Sequence, residues 1–315
     1  MIDGRKILTR YSGNPIINPD DIPGVYCAFN PSPVMFGDTT IVLVSMTYFK
    51  DKTSETYVSR SRDGIHFQID EKPFIAQTYL ESLGYPYDVI CWNIIDNRVT
   101  KIGDTYYIMT PVSTMKYDGS VTILGKTKDF KKYEVMEVVA LPRNRGVSLF
   151  PDKIGGKYYR LDRPGAGTGC FGSIWLTSSP DLVHWGCCRP MLAPGYAKWN
   201  GSKIGPTPPI RTEKGYLTIV HGVRTPCDGP RYYISAILLD LKQPWKILGK
   251  MSSYLLAPEM DYEANGHVDN VVFPCGAIGD EKKDELRLYY GAADTRICLA
   301  TGKLSDVIQA CLDES

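Results

Sequence analysis

The chain repeats one short pattern five times, and this repetition constrains the fold more than any other feature. Each copy joins a strand-like run, a tight turn and a second strand-like run: FNPSPVMFGDTTIVLVSM, DNRVTKIGDTYYIMTPV, SLFPDKIGGKYYRLDRP, TPPIRTEKGYLTIVHGV and NVVFPCGAIGD…ELRLYYGAAD. A single hairpin-based sheet cannot bury both of its faces, so successive copies must stack. Radial stacking of small antiparallel sheets gives a β-propeller. We therefore predict an all-β fold, a five-bladed β-propeller, as a single domain over residues 1–315.

The turns and the runs after them have the composition that hairpins require. The turns carry Gly-Asp, Gly-Gly or Lys-Gly pairs, which suit positive backbone φ angles. The runs that follow are rich in β-branched and aromatic residues, and strands are predicted at 40–44, 105–109, 157–161, 216–220 and 286–290. Only the tail, 304–312, is predicted to be helical. Long loops at 74–91, 164–172, 190–205 and 226–231 are predicted to decorate the propeller face.

Composition narrows the classes of partner. With 36 basic and 35 acidic residues the net charge is +1, which argues against nucleic acid or an anionic membrane as partner. The first residues lack a signal-peptide stretch and no run has the length of a membrane span, so a cytoplasmic location is expected. The nine cysteines are irregularly spaced, which favours reduced thiols, and no metal or cofactor site is expected. The sequence leaves homo-oligomerisation open.

The repeat register singles out one acid. Counting back seven or eight residues from each turn reaches five polar positions that should ring one mouth of the central channel: Asn30, Asp96, Ser148, Thr207 and Asn270. Among them Asp96 alone is ionisable, and it follows two isoleucines. A carboxylate beside apolar neighbours in a concave site tends to have a raised pKa, which suits a general acid. The alternative is that Asp96 only hydrogen-bonds backbone at the start of a strand.

Eight collinear segments between about residues 10 and 305 resemble one enzyme family. They are RYSGNPIINP, FNPSPV, DNRVTKIGDTYYI, LFPDKIGGKYYRLDRP, SSPDLVHWG, KIGPTPPIRTEKGYLTIVHG, DYEANGHVDNVVFPCG and YYGAADTRICLA. The family they resemble is glycoside hydrolase family 130, the inverting β-mannoside phosphorylases and related β-mannosidases. The resemblance implies a five-bladed propeller, which agrees with the repeat count. It also implies that a β-linked mannoside is cleaved by inorganic phosphate to give α-mannose 1-phosphate.

The resemblance also assigns roles to residues. Asp96 would be the proton donor, acting on the glycosidic oxygen through the 3-hydroxyl of the sugar. Phosphate is already an anionic nucleophile, so its site needs cations rather than a base. The residues implied for phosphate are Arg145 (or Arg143 in its place), Arg163, Lys203 and His221. The residues implied for the saccharide are Asn30, Arg98, Tyr232, Glu263, Asp269, Phe273 and Asp294.

Departures from the family pattern leave alternatives open. Ile95 and Asn97 replace the Glu and Pro that usually flank the catalytic Asp, and the run LVSMTYFK lacks an Arg often found there. The first alternative is a β-mannosidase that activates water with Glu263 or Asp269. The second is a glycan-binding propeller without catalysis. A furanosidase-type propeller is disfavoured, because it needs acids on three inner strands and Asn30 and Thr207 occupy two of those positions.

Overall fold

Five separate antiparallel sheets of four or five strands make up the structure. The structure is a computed structural model that describes residues 3–50, 53–90, 92–114, 119–165, 172–195 and 198–313. The prediction of an all-β, five-bladed propeller is confirmed. Parts of three predicted loops, residues 91, 166–171 and 196–197, lie outside the described residues.

Two blades have four strands each. Blade 1 consists of Val25–Phe36, Thr39–Tyr48, Ser54–Ser61 and Gln68–Ile69. Blade 3 consists of Ser148–Leu149, Tyr158–Asp162, Ile174–Ser179 and Gly186–Leu192. The predicted strand runs at 40–44 and 157–161 fall on the second strand of these blades.

In the other three blades the innermost strand is interrupted. Blade 2 consists of Asn93–Ile94, Arg98–Ile102, Thr105–Thr114, Gly119–Thr127 and Glu134–Ala140. Blade 4 consists of Lys203–Pro206, Ile210–Arg211, Tyr216–Arg224, Arg231–Leu239 and Ile247–Lys250. Blade 5 consists of Val272–Phe273, Ile278–Asp280, Glu285–Ala292, Arg296–Gly302 and Thr9–Arg10. Each interruption frees two or more residues from the ladder at the channel.

The N-terminal strand completes the last blade. Thr9 pairs with Thr301 and Arg10 pairs with Ala300, so Thr9–Arg10 is the outer strand of blade 5. The repeat pattern did not predict this strand, because two residues carry no periodic signal. The pairing ties the start of the chain to its end.

The hydrophobic core is divided among the five interfaces between blades. Successive side chains of a strand point to opposite faces. In Thr39–Tyr48, accordingly, Ile41 and Leu43 pack toward blade 2, whereas Val42 and Val44 pack toward blade 5. Comparable clusters fill the other interfaces, including the one between blades 5 and 1. The apolar runs of the repeat are therefore explained by sheets that are covered on both faces, and the blades close into a ring.

Helices are few and short. Leu304–Asp313 matches the predicted tail helix and packs on the core of blades 4 and 5. The sequence did not predict the others, which are Gln77–Ser82, Tyr87–Ile90, Asp261–Ala264 and the 3-10 turns Gly4–Lys6 and Pro19–Asp21. Such short helices are stabilised by tertiary packing rather than by their own periodicity. None of the helices in the described ranges is long and apolar enough to cross a membrane.

Candidate active site

Asp96 lies in the interruption of the innermost strand of blade 2, with its backbone in the left-handed region at φ 61°. Asn30 and Asn270 have the same type of backbone, with φ of 51° and 61°. Asn and Asp adopt this conformation more readily than other residues with side chains. The three positions share a place in the repeat, and they share this conformation. The Asn30 side-chain amide donates a hydrogen bond to Oδ1 of Asp96, which joins blades 1 and 2 at the channel.

Arg145 holds the other oxygen of Asp96. Its Nε donates to Asp96 Oδ2 over 2.7 Å, and its side chain is 36% exposed whereas that of Asp96 is 5% exposed. Arg145 reaches the site from the loop before Ser148–Leu149, the first strand of blade 3. Of the two arginines proposed for this position, Arg145 rather than Arg143 therefore meets the acid.

Three glycines form a slot around Arg163. A Cβ on Gly146 or Gly205 would lie 2.8 Å from a carbon of the Arg163 side chain, which is shorter than real contacts allow. A Cβ on Gly172 would lie 2.9 Å from the Lys203 side chain and 3.5 Å from that of Arg163. Glycine inside or beside a strand often marks such a close approach. The slot brings the cations of blades 3 and 4 together.

His221 and Lys203 line the same pocket from blade 4. Gly205, which contacts Arg163, pairs directly with His221 in the sheet. The Lys203 ammonium donates to the Tyr232 hydroxyl over 3.0 Å. Arg163, Lys203 and His221 thus converge, as one anion-binding site would require.

The pocket concentrates positive charge. Burial, followed by the charges of Arg163 and Arg145, lowers the pKa of Lys203 to about 7. Burial, followed by Arg98 and Arg145, lowers the pKa of Arg163 to about 10. Burial also holds the pKa of His221 well below its ordinary value, so this imidazole is neutral.

Several polar atoms of the pocket lack protein partners. Among the described residues, both ring nitrogens of His221 and Nε of Arg163 are buried with no hydrogen-bond partner. Buried polar groups are normally satisfied, so each exception calls for an explanation. A bound anion would both offset the crowded cations and supply hydrogen-bond acceptors.

The pKa of Asp96 corrects one prediction. Burial raises this pKa, as the apolar neighbours suggested, but Arg145, Arg98 and the Asn30 hydrogen bond lower it, and the net direction is downward. The expectation of a raised pKa was therefore wrong for the unliganded protein. The sequence could not show that three arginines from different segments gather around this carboxylate.

A second carboxylate, Asp294, belongs to the same electrostatic environment. Burial and then the charge of Asp96 raise the pKa of Asp294 to about 7, against the opposing effects of Arg145 and Lys203. Its backbone is left-handed, with φ of 47°. The pKa of Asp294 therefore responds to the charges of Asp96, Arg145 and Lys203.

An aromatic wall adjoins the cations. The ring centroids of His221 and Phe273 are 4.6 Å apart, and those of Tyr232 and Phe273 are 6.1 Å apart. Both aromatic residues had been assigned to the saccharide. Aromatic faces suit the C–H patches of a sugar, and the nearby polar groups suit its hydroxyls.

Arg98 is placed beneath the pocket. It is 1% exposed, and its guanidinium donates to the backbone carbonyls of Asp96 at 2.7 Å and of Pro206 and Arg145 at 3.3 Å. The resemblance implies that Arg98 contacts the sugar, but in this structure its guanidinium binds backbone carbonyl oxygens. Arg98 ties blades 2, 3 and 4 together, and its charge lowers the pKa of Asp96.

Two predicted acids are not brought into the cluster. Glu263 is completely buried and is held by Arg10 at 2.7 Å and by the Tyr290 hydroxyl at 2.8 Å. It also accepts from the backbone N–H groups of Glu259 and Met260, so in this structure it clamps the backbone before the short helix Asp261–Ala264. Asp269 is on an exposed loop, where it accepts a hydrogen bond from the backbone N–H of Gly266 at 3.1 Å.

The glycine slot was missed at the sequence level. Gly205, in the run KIGP, is inside a strand, where a glycine weakens the sheet and suggests close approach of another group. That signal was present, but the group approaching it comes from a different blade. Gly146 and Gly172 lie in loops, where glycine is too common to be informative.

Comparison with known proteins covers almost the whole chain. A family profile described as beta-1,4-mannooligosaccharide phosphorylase matches residues 5–313. A beta-1,4-mannooligosaccharide phosphorylase of Ruminococcus albus is 34% identical over 317 residues, covering 97% of this chain and 91% of that protein. A beta-1,2-mannobiose phosphorylase of Listeria innocua is 38% identical over 264 residues, covering 82% of this chain and 70% of that protein.

A solved structure extends the similarity to the fold. The beta-1,2-mannobiose phosphorylase from Listeria innocua, solved as its beta-1,2-mannobiose complex, superposes with a TM-score of 0.85 and 31% identity. The match covers 98% of this chain and 99% of that one. The fold is thus shared from end to end.

Proposed function

The chain belongs to glycoside hydrolase family 130 and is an enzyme of the glycoside phosphorylase class, and from this premise we propose its reaction. The enzyme cleaves a β-linked mannoside with inorganic phosphate and releases α-mannose 1-phosphate. Asp96 donates the proton. The substrates are a small manno-oligosaccharide or a mannosyl-glucose type disaccharide together with phosphate.

The observation that carries this proposal is the meeting of one acid with a group of cations. Arg145 contacts Asp96 at 2.7 Å, and Arg163 and Lys203 meet at the glycine slot, where the neutral His221 adds ring nitrogens that have no protein partner. A hydrolase would gain nothing from such a concentration of buried positive charge. A phosphorylase needs it, because phosphate is a multiply charged nucleophile that must be desolvated and oriented.

The bond changes follow from this arrangement. A phosphate oxygen, held by the cations, forms a bond to the anomeric carbon while the bond from that carbon to the glycosidic oxygen breaks. The electron pair of the broken bond stays on the glycosidic oxygen, which receives a proton that originates on Asp96 and passes through the 3-hydroxyl. Attack from the face opposite the leaving group converts the β-linkage into an α-phosphate.

Bound phosphate also explains how Asp96, whose pKa is lowered, can act as a proton donor. Burial raises that pKa, but Arg145, Arg98 and the Asn30 hydrogen bond outweigh it. A bound phosphate offsets the positive field, and burial then favours the neutral acid. The acid is therefore prepared for proton donation by the arrival of its co-substrate.

The test is the dependence of cleavage on phosphate. The purified enzyme is incubated with β-1,2- and β-1,4-linked mannobiose, with and without phosphate, and α-mannose 1-phosphate and free mannose are measured. We expect sugar phosphate from at least one substrate, and only when phosphate is present. Release of mannose at the same rate without phosphate would reject the proposal in favour of a hydrolase.

Reverse synthesis provides a second measurement. α-Mannose 1-phosphate is supplied with mannose, glucose or a short oligosaccharide as acceptor, and released phosphate is followed. The acceptor that gives the fastest release identifies the natural leaving group.

A further inference from the structure

A buried polar network lies directly behind the anion pocket and takes no part in the chemistry described so far. Its centre is Asp162, 3% exposed, which lies next to Arg163 in the chain. Arg160, 4% exposed, donates from Nε to Asp162 at 3.0 Å. Thr177 donates to the same carboxylate at 2.6 Å. Asp162 is thus a buried charge with several partners.

The network crosses from the segment of Arg163 to the segment of Arg145. The side-chain amide of Asn144, the residue before Arg145, donates to Asp162 Oδ1 over 2.8 Å. Asn144 also forms an isolated backbone bridge with Pro164, the residue after Arg163. Asn144, which precedes Arg145, is therefore bonded to both neighbours of Arg163 in the chain, Asp162 and Pro164.

Further contacts anchor both ends of this link. Thr122, in blade 2, donates to the carbonyl oxygen of Asn144 at 2.7 Å. Arg160 donates from Nη1 to the carbonyl of Val139, also in blade 2, at 3.0 Å. Its guanidinium lies 4.3 Å from the centroid of the Trp185 ring. The link is therefore fixed to blades 2 and 3 together.

We propose that Asn144 and Asp162 are positioning residues, which set the spacing between Arg145 and Arg163 and so determine the affinity for phosphate. This inference rests on the proposed function of the pocket. Neither residue touches phosphate or sugar; each acts through the arginine beside it.

The physical reason is that like charges repel. Arg145 and Arg163 must be kept near each other in a buried pocket before phosphate arrives, and each lowers the stability of the other's charge there. Repulsion would push the two arginines apart. The hydrogen bond from Asn144 to Asp162 and the bridge to Pro164 oppose this movement. Preorganisation of this kind stabilises the bound anion, because the pocket need not be reassembled on binding.

The variant Asn144→Ala tests the link while leaving the ion pair of Arg160 and Asp162 intact. Phosphate affinity is measured by calorimetry on the purified enzyme without sugar, and KM is measured separately for phosphate and for the mannoside. We expect phosphate binding and the KM for phosphate to weaken by about tenfold or more, the scale seen when groups that orient ligating residues are removed. The KM for the mannoside should change by less than about twofold, because the sugar side of the site is not altered.

Two further variants guard against a merely structural effect. Asp162→Asn should weaken phosphate binding at least as much, and its melting temperature is recorded with that of Asn144→Ala. A control is Asp70→Asn, which removes a carboxylate from a more exposed pair with Arg60 at 2.9 Å, beside the outer strand of blade 1. It should leave the KM for phosphate unchanged.

The outcomes separate this inference from the proposed function. Unchanged phosphate affinity in Asn144→Ala, or an equal rise in both KM values that follows the loss of melting temperature, would overturn the positioning role. Failure of the wild-type enzyme to bind phosphate at all would also overturn it. Phosphate binding without phosphate-dependent cleavage would reject the proposed function alone, and the variants would still decide the positioning role by affinity.

Discussion

Asp96 and Glu263 are both buried carboxylates paired with arginine, yet their surroundings differ. Glu263 accepts five hydrogen bonds, from Arg10, from the Tyr290 hydroxyl and from the backbone N–H groups of Glu259 and Met260, whereas each oxygen of Asp96 accepts one. Asp96 has two side-chain partners and lies at the edge of a pocket with unpartnered polar atoms.

The difference is the one expected between a structural acid and a proton donor, the role that we propose for Asp96. A charge that is completely hydrogen-bonded within the protein has nothing left to exchange with a ligand, and it contributes mainly to stability. A carboxylate surrounded by an excess of cations changes its protonation when an anion enters. The comparison therefore predicts opposite consequences for the two acids.

The largest expected effect is on turnover, in Asp96→Asn. Removal of a general acid typically lowers kcat by about 10²–10⁴-fold, and we expect a loss in this range with little change in ligand affinity. Steady-state kinetics and calorimetry with the mannoside provide the measurements. Turnover close to that of the wild type would show that Asp96 is not the donor and would remove the contrast with Glu263.

The next effect is on stability, in Glu263→Gln. Glu263→Gln removes the buried carboxylate that Arg10 contacts at 2.7 Å and leaves Arg10 only the more exposed Glu259 at 3.1 Å, so the free energy of unfolding should fall by about 3 kcal/mol, the lower end of the range for broken buried pairs. Urea unfolding measures this loss. If stability were unchanged while kcat collapsed, Glu263 would instead be the water-activating base of a hydrolase.

A smaller effect concerns the cations near Asp96 and is a change in the pH dependence of kcat/KM. The pKa of Lys203 is lowered to about 7, so its ammonium is charged below that pH and neutral above it. Because kcat/KM reports the free enzyme, kcat/KM for phosphate should fall about tenfold per pH unit as pH rises beyond 7.

In Lys203→Arg the decline above pH 7 should disappear, since a guanidinium stays protonated. The ionisation of phosphate itself is common to both enzymes and cancels in the comparison. An identical decline in the two pH profiles would contradict the assignment.

The smallest effect is the uptake of a fraction of a proton when phosphate binds. At about pH 5, two units below their pKa values of about 7, Lys203 and Asp294 are already protonated in the free enzyme. Additional uptake then belongs to Asp96, whose pKa is lowered, or to the neutral His221, and only the share of Asp96 is lost in Asp96→Asn. Calorimetry in buffers of different ionisation enthalpy measures it. Equal uptake by the wild type and Asp96→Asn would show that phosphate does not prepare the acid.

The fold was predictable because its signal is repeated. Apolar runs such as IVLVSM, preceded by tight turns such as Gly-Asp, Gly-Gly or Lys-Gly, recur from blade to blade, and each blade buries both faces of its sheet. The position of Asp96 followed from the same register, and the predicted family was confirmed by comparison. Local sequence determines these features, so one chain suffices to find them.

The rest depends on contacts between distant segments. The direction of the Asp96 pKa is decided by Arg145, 49 positions away, and by Arg98. The role of Arg98 is decided by the Pro206 carbonyl, 108 positions away. Neither residue has a local pattern that reveals its partner, so a sequence can nominate a charged residue without showing whether it binds a ligand or carbonyl oxygens.

The strand Thr9–Arg10 has a consequence for how the molecule is made. It is synthesised before any blade, yet its partner strand, Arg296–Gly302, leaves the ribosome only after the strands of the other four blades. Ring closure and the capture of Glu263 by Arg10 must both wait for that moment. Until then, the blades form an open arc, and Thr9–Arg10 has no partner strand. The rigidity that a closed ring gives to the channel is reached only when this strand pairs.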